Sequence, residues 1–224
     1  MSRYRNLLRK LLRNPFLVFY YFFRIIGWLI LKLPFFRFIR ETAKSETAIT
    51  FSYWFTQRVL RINASAYWPM HYSSIVSYSK NVYAGIETCP GYNPGCYIHA
   101  VNKIYIGDYT QIGPNVGLMS GNHDLYDYRI QTAARPIRIG KHCWIGMGAV
   151  ILPEVELGDF TIVGAGSIVT KSFPEGRCVI AGNPAKKIKD LDAARCVPFM
   201  TENPYNGYVP HQQFEVYRKA NLNV

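Results

Sequence analysis

The 224-residue sequence predicts a mainly β chain: a stack of short strands and tight turns, with an apolar, basic helical segment before it and an extension after it. Two observations carry this. The first is a six-residue period. From Ile139 the chain reads in hexads opened by Ile139, Ile145, Ile151, Leu157 and Val163, and Val169 opens the next. Glycine follows the opening residue in four of these five hexads, and the fifth place is small or β-branched: Cys143, Ala149, Val155, Thr161, Ser167. Period six excludes an amphipathic helix, whose apolar face recurs at three and four, and a plain strand, which recurs at two. It fits a short strand and a tight turn, repeated, with the aliphatic residue in a shared core. Such units are stable only when neighbouring coils bury each other. The second observation is composition. Hydrophobic residues make up 49% and charged residues 18%, which excludes a solvated disordered tract for the bulk of the chain.

Residues 1–40 hold nine Lys/Arg and no Asp or Glu, so the net charge of +12 is concentrated there. The rest carries 17 basic and 14 acidic side chains, too even for a nucleic-acid-binding face. The apolar run 16–36 is broken by Arg24 and Lys32, and a central charge costs about 2.5–3.5 kcal/mol on insertion scales. No small-x-small cleavage pattern follows it. Its aromatics and flanking cations favour a helix lying in the headgroup region of an anionic leaflet, with packing on the body or a partner, and a true span, as alternatives.

Residues 41–67 read as a linking element, strand or helix. The stack begins irregularly over 68–105, with Ile75, Val82, Ile86, Ile98 and Ile104 expected inward. The Pro/Gly-rich piece Cys89–Cys96 reads as turns. Hexads appear at Ile106 and Ile112 and reach Leu118, residues 119–136 interrupt them, and the regular run closes the 68–189 domain. The tail 190–224 has three prolines and no repeat, and is expected as an extended arm or partly disordered. Five cysteines without a Cys-x-x-Cys pair argue against a disulfide framework or zinc knuckle and for a reducing cytosol.

Several segments carry a family resemblance. They are Tyr105–Gly117, Ser120-Gly-Asn-His123-Asp, Pro136–Gly146, Val163–Lys171 and Ala181-Gly-Asn-Pro-Ala-Lys-Lys-Ile188. Over residues 97–190 the chain resembles hexapeptide-repeat acyltransferases of the left-handed parallel β-helix class. It is most similar to the maltose, galactoside and colanic-acid O-acetyltransferases and to polysaccharide O-acetyltransferases. The resemblance implies left-handed coils, a homotrimer, and direct acyl transfer from acetyl-CoA to an acceptor hydroxyl or amine.

A neutral hydroxyl is a weak nucleophile, so a base must take its proton, and histidine suits that role. The resemblance assigns it to His123, in the segment that breaks the hexads. It places coenzyme A along Trp144, Met147, Ala165, Thr170 and Lys171, with Lys186 and Lys189 as point charges for its phosphates. The alternative for the small residues is coil packing, and for the lysines a solvated charge run. His99 and Asn102 lie where the acceptor pocket forms in such families, and Asp124 is a further acceptor-side candidate. Asp124 or Asp127 would orient the imidazole if either served as a triad's third member, with plain loop carboxylates as the bland reading. His142 is expected outward and solvated. The γ-class carbonic anhydrases of this fold bind a metal through three histidines, and the spacing here does not supply three, so no metal is expected.

The expected activity is acetyl-CoA-dependent O-acetylation of a sugar hydroxyl on a polysaccharide or glycolipid precursor. It would occur in the cytoplasm, with residues 1–40 giving peripheral contact at the cytoplasmic face of a membrane and no nucleic-acid partner. The rivals are an amino-sugar N-acetyltransferase, a serine O-acetyltransferase and a non-catalytic β-helix scaffold.

Overall fold

The computed structural model describes residue 27 and residues 32–132 and 134–224. Most of the basic segment, and with it most of the membrane expectation for 1–40, lies outside the described residues. The chain divides into two compact units, Met1–Glu41 and Thr42–Val224. In the first, a 3-10 turn Pro34–Phe36 leads into helix α1 (Arg37–Glu41). Phe35 meets the Phe36 ring edge-on at 4.9 Å, and Arg37 pairs with Glu41 one turn on. No helix among the described residues is long and apolar enough to cross a membrane.

The second unit is the predicted stack, a prism with three parallel sheets. The first sheet runs β1 (Ile75–Ser77), β3 (Tyr97–His99), β6 (Gly117–Met119), β9 (Val150–Ile151) and β12 (Ile168–Val169). The second runs β2 (Val82–Ala84), β4 (Ile104–Ile106), β7 (Ile137–Ile139) and β10 (Glu156–Leu157). The third runs β5 (Gln111–Ile112), β8 (Trp144–Ile145), β11 (Ile162–Val163) and β13 (Cys178–Gly182). Antiparallel β14 (Ala185–Asp190) closes that sheet against β13. The chain visits the sheets in turn, so each circuit is one coil.

The hexad explains the burial. Every opening residue named from Ile106 to Val169 is buried, and so are the fifth-place residues Cys143, Ala149, Val155, Thr161 and Ser167. Apolar burial stabilises by about 25 cal/mol per Å², so a continuous aliphatic column drives stacking. The glycine after the opening residue is required by close approach. A Cβ on Gly158 would stand 2.2 Å from the Pro174 carbonyl oxygen, a backbone atom with little room to move. At one corner the left-handed residues Tyr109, His142 and Phe160 stack coil on coil. His142 does point outward, but its ring lies between Tyr109 at 5.2 Å and Phe160 at 4.8 Å rather than free in solvent. Partial burial there lowers its pKa.

Two expectations need adjustment, and one open alternative is resolved. Val82, Ile98 and Ile104 are buried, but Ile75 is exposed and Ile86 half-buried. Successive strand residues face opposite ways, and in β1 it is Val76 that packs on the core. The linking element is helical: α2 (Phe51–Trp54), capped by Thr50, continues as a π turn over Phe55–Val59. The tail contains a hairpin, β15 (Tyr205–Asn206) with β16 (Val209–Pro210), and helix α3 (His211–Asn221). Phe214 of α3 is buried against Tyr67 at 5.3 Å and Tyr83 at 5.7 Å. Helix α3 therefore covers the first coil, where buried Trp68 donates its indole N–H to the Pro90 carbonyl at 2.7 Å. All five cysteines are free, four of them buried.

Candidate functional site

The loop that interrupts the hexads leaves the first sheet after Met119 and returns at β7. It is a closed hairpin. His123 and Gln131 form an antiparallel bridge. Around it, the Thr132 N–H donates to the Asn122 carbonyl at 2.9 Å and the Asp124 N–H donates to the Ile130 carbonyl at 2.8 Å. The side chain of Asp124 accepts the backbone N–H groups of Tyr126 and Asp127, which lowers its pKa. Asp127 pairs with Arg129, which lowers its pKa likewise. Both carboxylates are thus engaged in shaping the turn. Neither lies within ion-pair distance of His123, whose exposed ring carries no hydrogen bond among the described residues.

The loop rests on Ser120, which sequence reading missed. Its hydroxyl is fully buried and accepts the Asn102 N–H at 2.9 Å. It also lies 2.9 Å from the His99 carbonyl and 2.8 Å from that of Asn102, to either of which it can donate. The Asn102 amide returns a bond to the Ser120 carbonyl at 2.8 Å. His99, at the end of β3, flanks the same corner, with Tyr97 parallel to its ring at 6.1 Å. Its Nδ1 is buried and has no hydrogen-bond partner among the described residues. The structure thus gathers His99, Asn102, Ser120 and the root of the His123 loop at the corner between first and second sheets. Ser120→Ala would leave the half-buried Asn102 N–H without its hydroxyl acceptor, at a cost of about 1 kcal/mol. A lowered melting temperature together with faster hydrogen exchange at that amide is the expected outcome. Unchanged exchange would contradict the role given to Ser120.

A second group lies on the third sheet. Trp144, Ile162, Val179 and Lys189 are in register across β8, β11, β13 and β14. At a strand spacing near 4.8 Å this row spans roughly 14 Å from Trp144 to Lys189. Lys186 lies opposite Ala181 in the same hairpin. Met147 and Ala165 hold equivalent places on successive coils at the adjoining corner, where the Gly166 N–H donates to the Met147 carbonyl at 2.8 Å. Trp144, Met147, Ala165, Lys186 and Lys189 are all exposed. Lys187 is held by Asp190 at 2.8 Å, whereas Lys186 and Lys189 form no ion pair among the described residues. Thr170 and Lys171 fall elsewhere, past the end of β12 on the corner of the His123 loop, two coils away. Within one chain the Trp144–Lys189 row and His123 therefore occupy different parts of the prism. No group of three or more His, Cys, Asp or Glu able to hold a metal occurs among the described residues.

The arrangement offers an exposed imidazole beside a polar corner and a flat, lysine-ended surface for an extended anionic ligand. Comparison with known proteins bears on the family and the fold. Residues 136–171 match the bacterial transferase hexapeptide family model. The chain is 35% identical over 119 residues to the galactoside O-acetyltransferase of Escherichia coli K12, covering 52% of this chain and 57% of that protein. It is 36% identical to a putative acetyltransferase of Schizosaccharomyces pombe, covering 51% of this chain and 56% of the relative. The match thus spans little more than half the length of these curated relatives. Among solved structures, a galactoside acetyltransferase in complex with coenzyme A superposes with a TM-score of 0.52 at 30% identity, covering 63% of this chain and 70% of that one. A maltose O-acetyltransferase from Clostridium difficile 630 shares the fold, with a TM-score of 0.51 at 24% identity, covering 69% of this chain and 88% of that one.

Proposed function

Because the chain belongs to the hexapeptide-repeat acetyltransferase family, we propose that it transfers an acetyl group from acetyl-CoA to a sugar hydroxyl of a polysaccharide or glycolipid precursor. The observation that carries this reading is the exposed His123 ring on the hairpin that interrupts the hexads. In the proposed reaction the acceptor hydroxyl donates its proton to His123 as its oxygen attacks the thioester carbonyl. The thiolate of coenzyme A then leaves and takes up a proton. Coenzyme A lies along the Trp144 row, with its phosphates toward Lys186 and Lys189. Phosphate oxygens meet these ammonium groups as charge-assisted contacts.

The distance between that row and His123 within one chain favours a homotrimer, in which a neighbouring chain brings its row beside the loop. The apolar loop tip, with Leu125 93% and Tyr126 98% exposed, fits coverage by such a neighbour. A sugar acceptor is favoured by the galactoside and maltose enzymes among the similar proteins. The basic, aromatic N-terminal segment supports placement at the cytoplasmic face of a membrane, near a lipid-linked acceptor.

Calorimetric titration of acetyl-CoA tests the donor half. Micromolar binding, about −8 kcal/mol, is expected for the native sequence. It should weaken by about tenfold or more in Lys186→Ala/Lys189→Ala, as charge-assisted contacts are lost. Absence of binding by folded protein would overturn the acetyl-CoA reading. Binding unchanged in the double variant would move the phosphates elsewhere.

A further inference from the structure

Helix α2 and the π turn that extends it are amphipathic in the reverse sense. Ser52 apart, which is exposed, their polar side chains turn toward the protein. Gln57 is fully buried; it donates to the Trp68 carbonyl at 3.0 Å and accepts the Met70 N–H at 3.1 Å and the Tyr208 hydroxyl at 2.7 Å. Tyr53 donates to the Tyr92 carbonyl at 2.9 Å. Arg58 donates to the carbonyls of Ala64 and Ala66, with its guanidinium over the Tyr208 ring at 4.6 Å. Among the exposed side chains are Phe51, Phe55, Val59, Leu60 and Ile62, and Val59 and Leu60 are each about half exposed. Asn63 ties this end to the next turn through the Ser74 carbonyl at 2.7 Å, and that turn carries exposed Tyr72. A segment that buries its glutamine, ties its half-buried arginine to backbone carbonyls and shows its aliphatic side chains is built for surroundings less polar than water.

Charge narrows the choice of surroundings. Residues 47–86 contain Arg58, Arg61 and Lys80 and no Asp or Glu. Arg61 is exposed beside Leu60 and Ile62. Residues 1–40, a short way upstream, add nine cations and no acid. Aliphatic and aromatic side chains bordered by arginine, in a stretch whose charges are all basic from residue 47 to residue 86, match the boundary between headgroups and acyl chains of an anionic leaflet.

We propose that the face formed by Phe55, Val59, Leu60 and Ile62, with Arg61 at its rim, rests on an anionic lipid bilayer. It is a membrane contact made by the body itself, separate from residues 1–40. The proposal rests on the membrane placement given under Proposed function and adds to it. It also sets the catalytic body directly against the leaflet instead of leaving it tethered at a distance.

The test uses the full chain with Cys196→Ser, so that an introduced cysteine is not outcompeted by the one thiol that is not buried. A nitroxide is attached at Leu60→Cys, or at Glu175→Cys as an exposed control at the far end of the stack. The probes are vesicles of phosphatidylcholine alone and of phosphatidylcholine mixed with phosphatidylglycerol. On the mixed vesicles the label at 60 is expected to gain access to oxygen and lose access to a polar nickel relaxant, while the label at 175 stays aqueous. In the unlabelled chain, Val59→Ser/Leu60→Ser should lower affinity for mixed vesicles by about tenfold with unchanged melting. If the protein sediments with vesicles while the label at 60 stays aqueous, the proposal fails and membrane placement through residues 1–40 stands. If it does not sediment, both fail. Shielding of that label before vesicles are added, together with a larger assembly lost on Val59→Ser/Leu60→Ser, would mean that a second copy covers the face, and would also overturn the proposal. Acetyl transfer to a soluble sugar, measured in parallel, judges the enzymatic reading independently.

Discussion

Replacing His123 with alanine is expected to lower acetyl transfer by about 10²- to 10⁴-fold, the usual contribution of a positioned general base. The structure makes this a clean experiment. The ring is exposed and carries no hydrogen bond among the described residues, so its removal breaks no packing. The hairpin around it is held by backbone bonds between Asn122 and Thr132 and between Asp124 and Ile130, and by the Asp124 side chain. None of these needs an imidazole. Melting temperature and acetyl-CoA affinity should therefore match the native sequence, and the loss should fall on turnover. A variant that keeps more than a tenth of the native rate would remove His123 from the chemistry. A variant that also loses acetyl-CoA binding would mean that the ring positions the donor.

The two halves of the site were unequally legible in the sequence. The pairing of Trp144 with Ile162 follows from the hexad register, because residues one coil apart in a periodic stack are neighbours by construction. Val179 falls one residue short of a full coil and Lys189 joins through antiparallel β14, so the lysine end of the row does not follow from the period. The His123 corner depends on contacts no period announces. Ser120 is the third residue of the hexad opened by Leu118, a place with no burial rule, and its partners His99 and Asn102 come from the preceding coil. Asp124 reads as a loop carboxylate in sequence, and its use as a turn acceptor shows only when the backbone N–H groups of Tyr126 and Asp127 are in place. One signal was available: a serine placed just where the repeat breaks, followed by glycine. A Cβ on Gly121 would come within 2.3 Å of Val101, so the exit from the coil is crowded.

Helix α3 escaped detection for a different reason. Only Phe214, Val216 and Tyr217 among its eleven residues are large and apolar, and Val216 is exposed. Such a helix has weak intrinsic stability and is held by the burial of Phe214 against the Tyr67 and Tyr83 rings. Tertiary packing decides the element, and a local window does not contain it.

The hexad itself predicts a large loss on Ile151→Ala. Ile151 is wholly buried in β9, in register with Leu118 on one side and Val169 on the other, so its side chain fills the column between two coils. Truncation removes buried methylenes and leaves a cavity that regular coils cannot collapse around, because each backbone is fixed by hydrogen bonds to both neighbours. The expected cost is about 2–5 kcal/mol. Typical domains are stable by about 5–15 kcal/mol, so this consumes a large share. Urea unfolding should show a lower midpoint with an unchanged slope, since the surface exposed on unfolding is nearly the same. Val150, its neighbour in the strand, faces outward and is half-buried, and Val150→Ala should cost distinctly less. Equal losses at 150 and 151 would contradict a core built on the opening residue of each hexad. A slope that falls in Ile151→Ala alone would instead mean that the coils unfold in separate steps, as a stack held only by nearest neighbours allows once one interface is weakened.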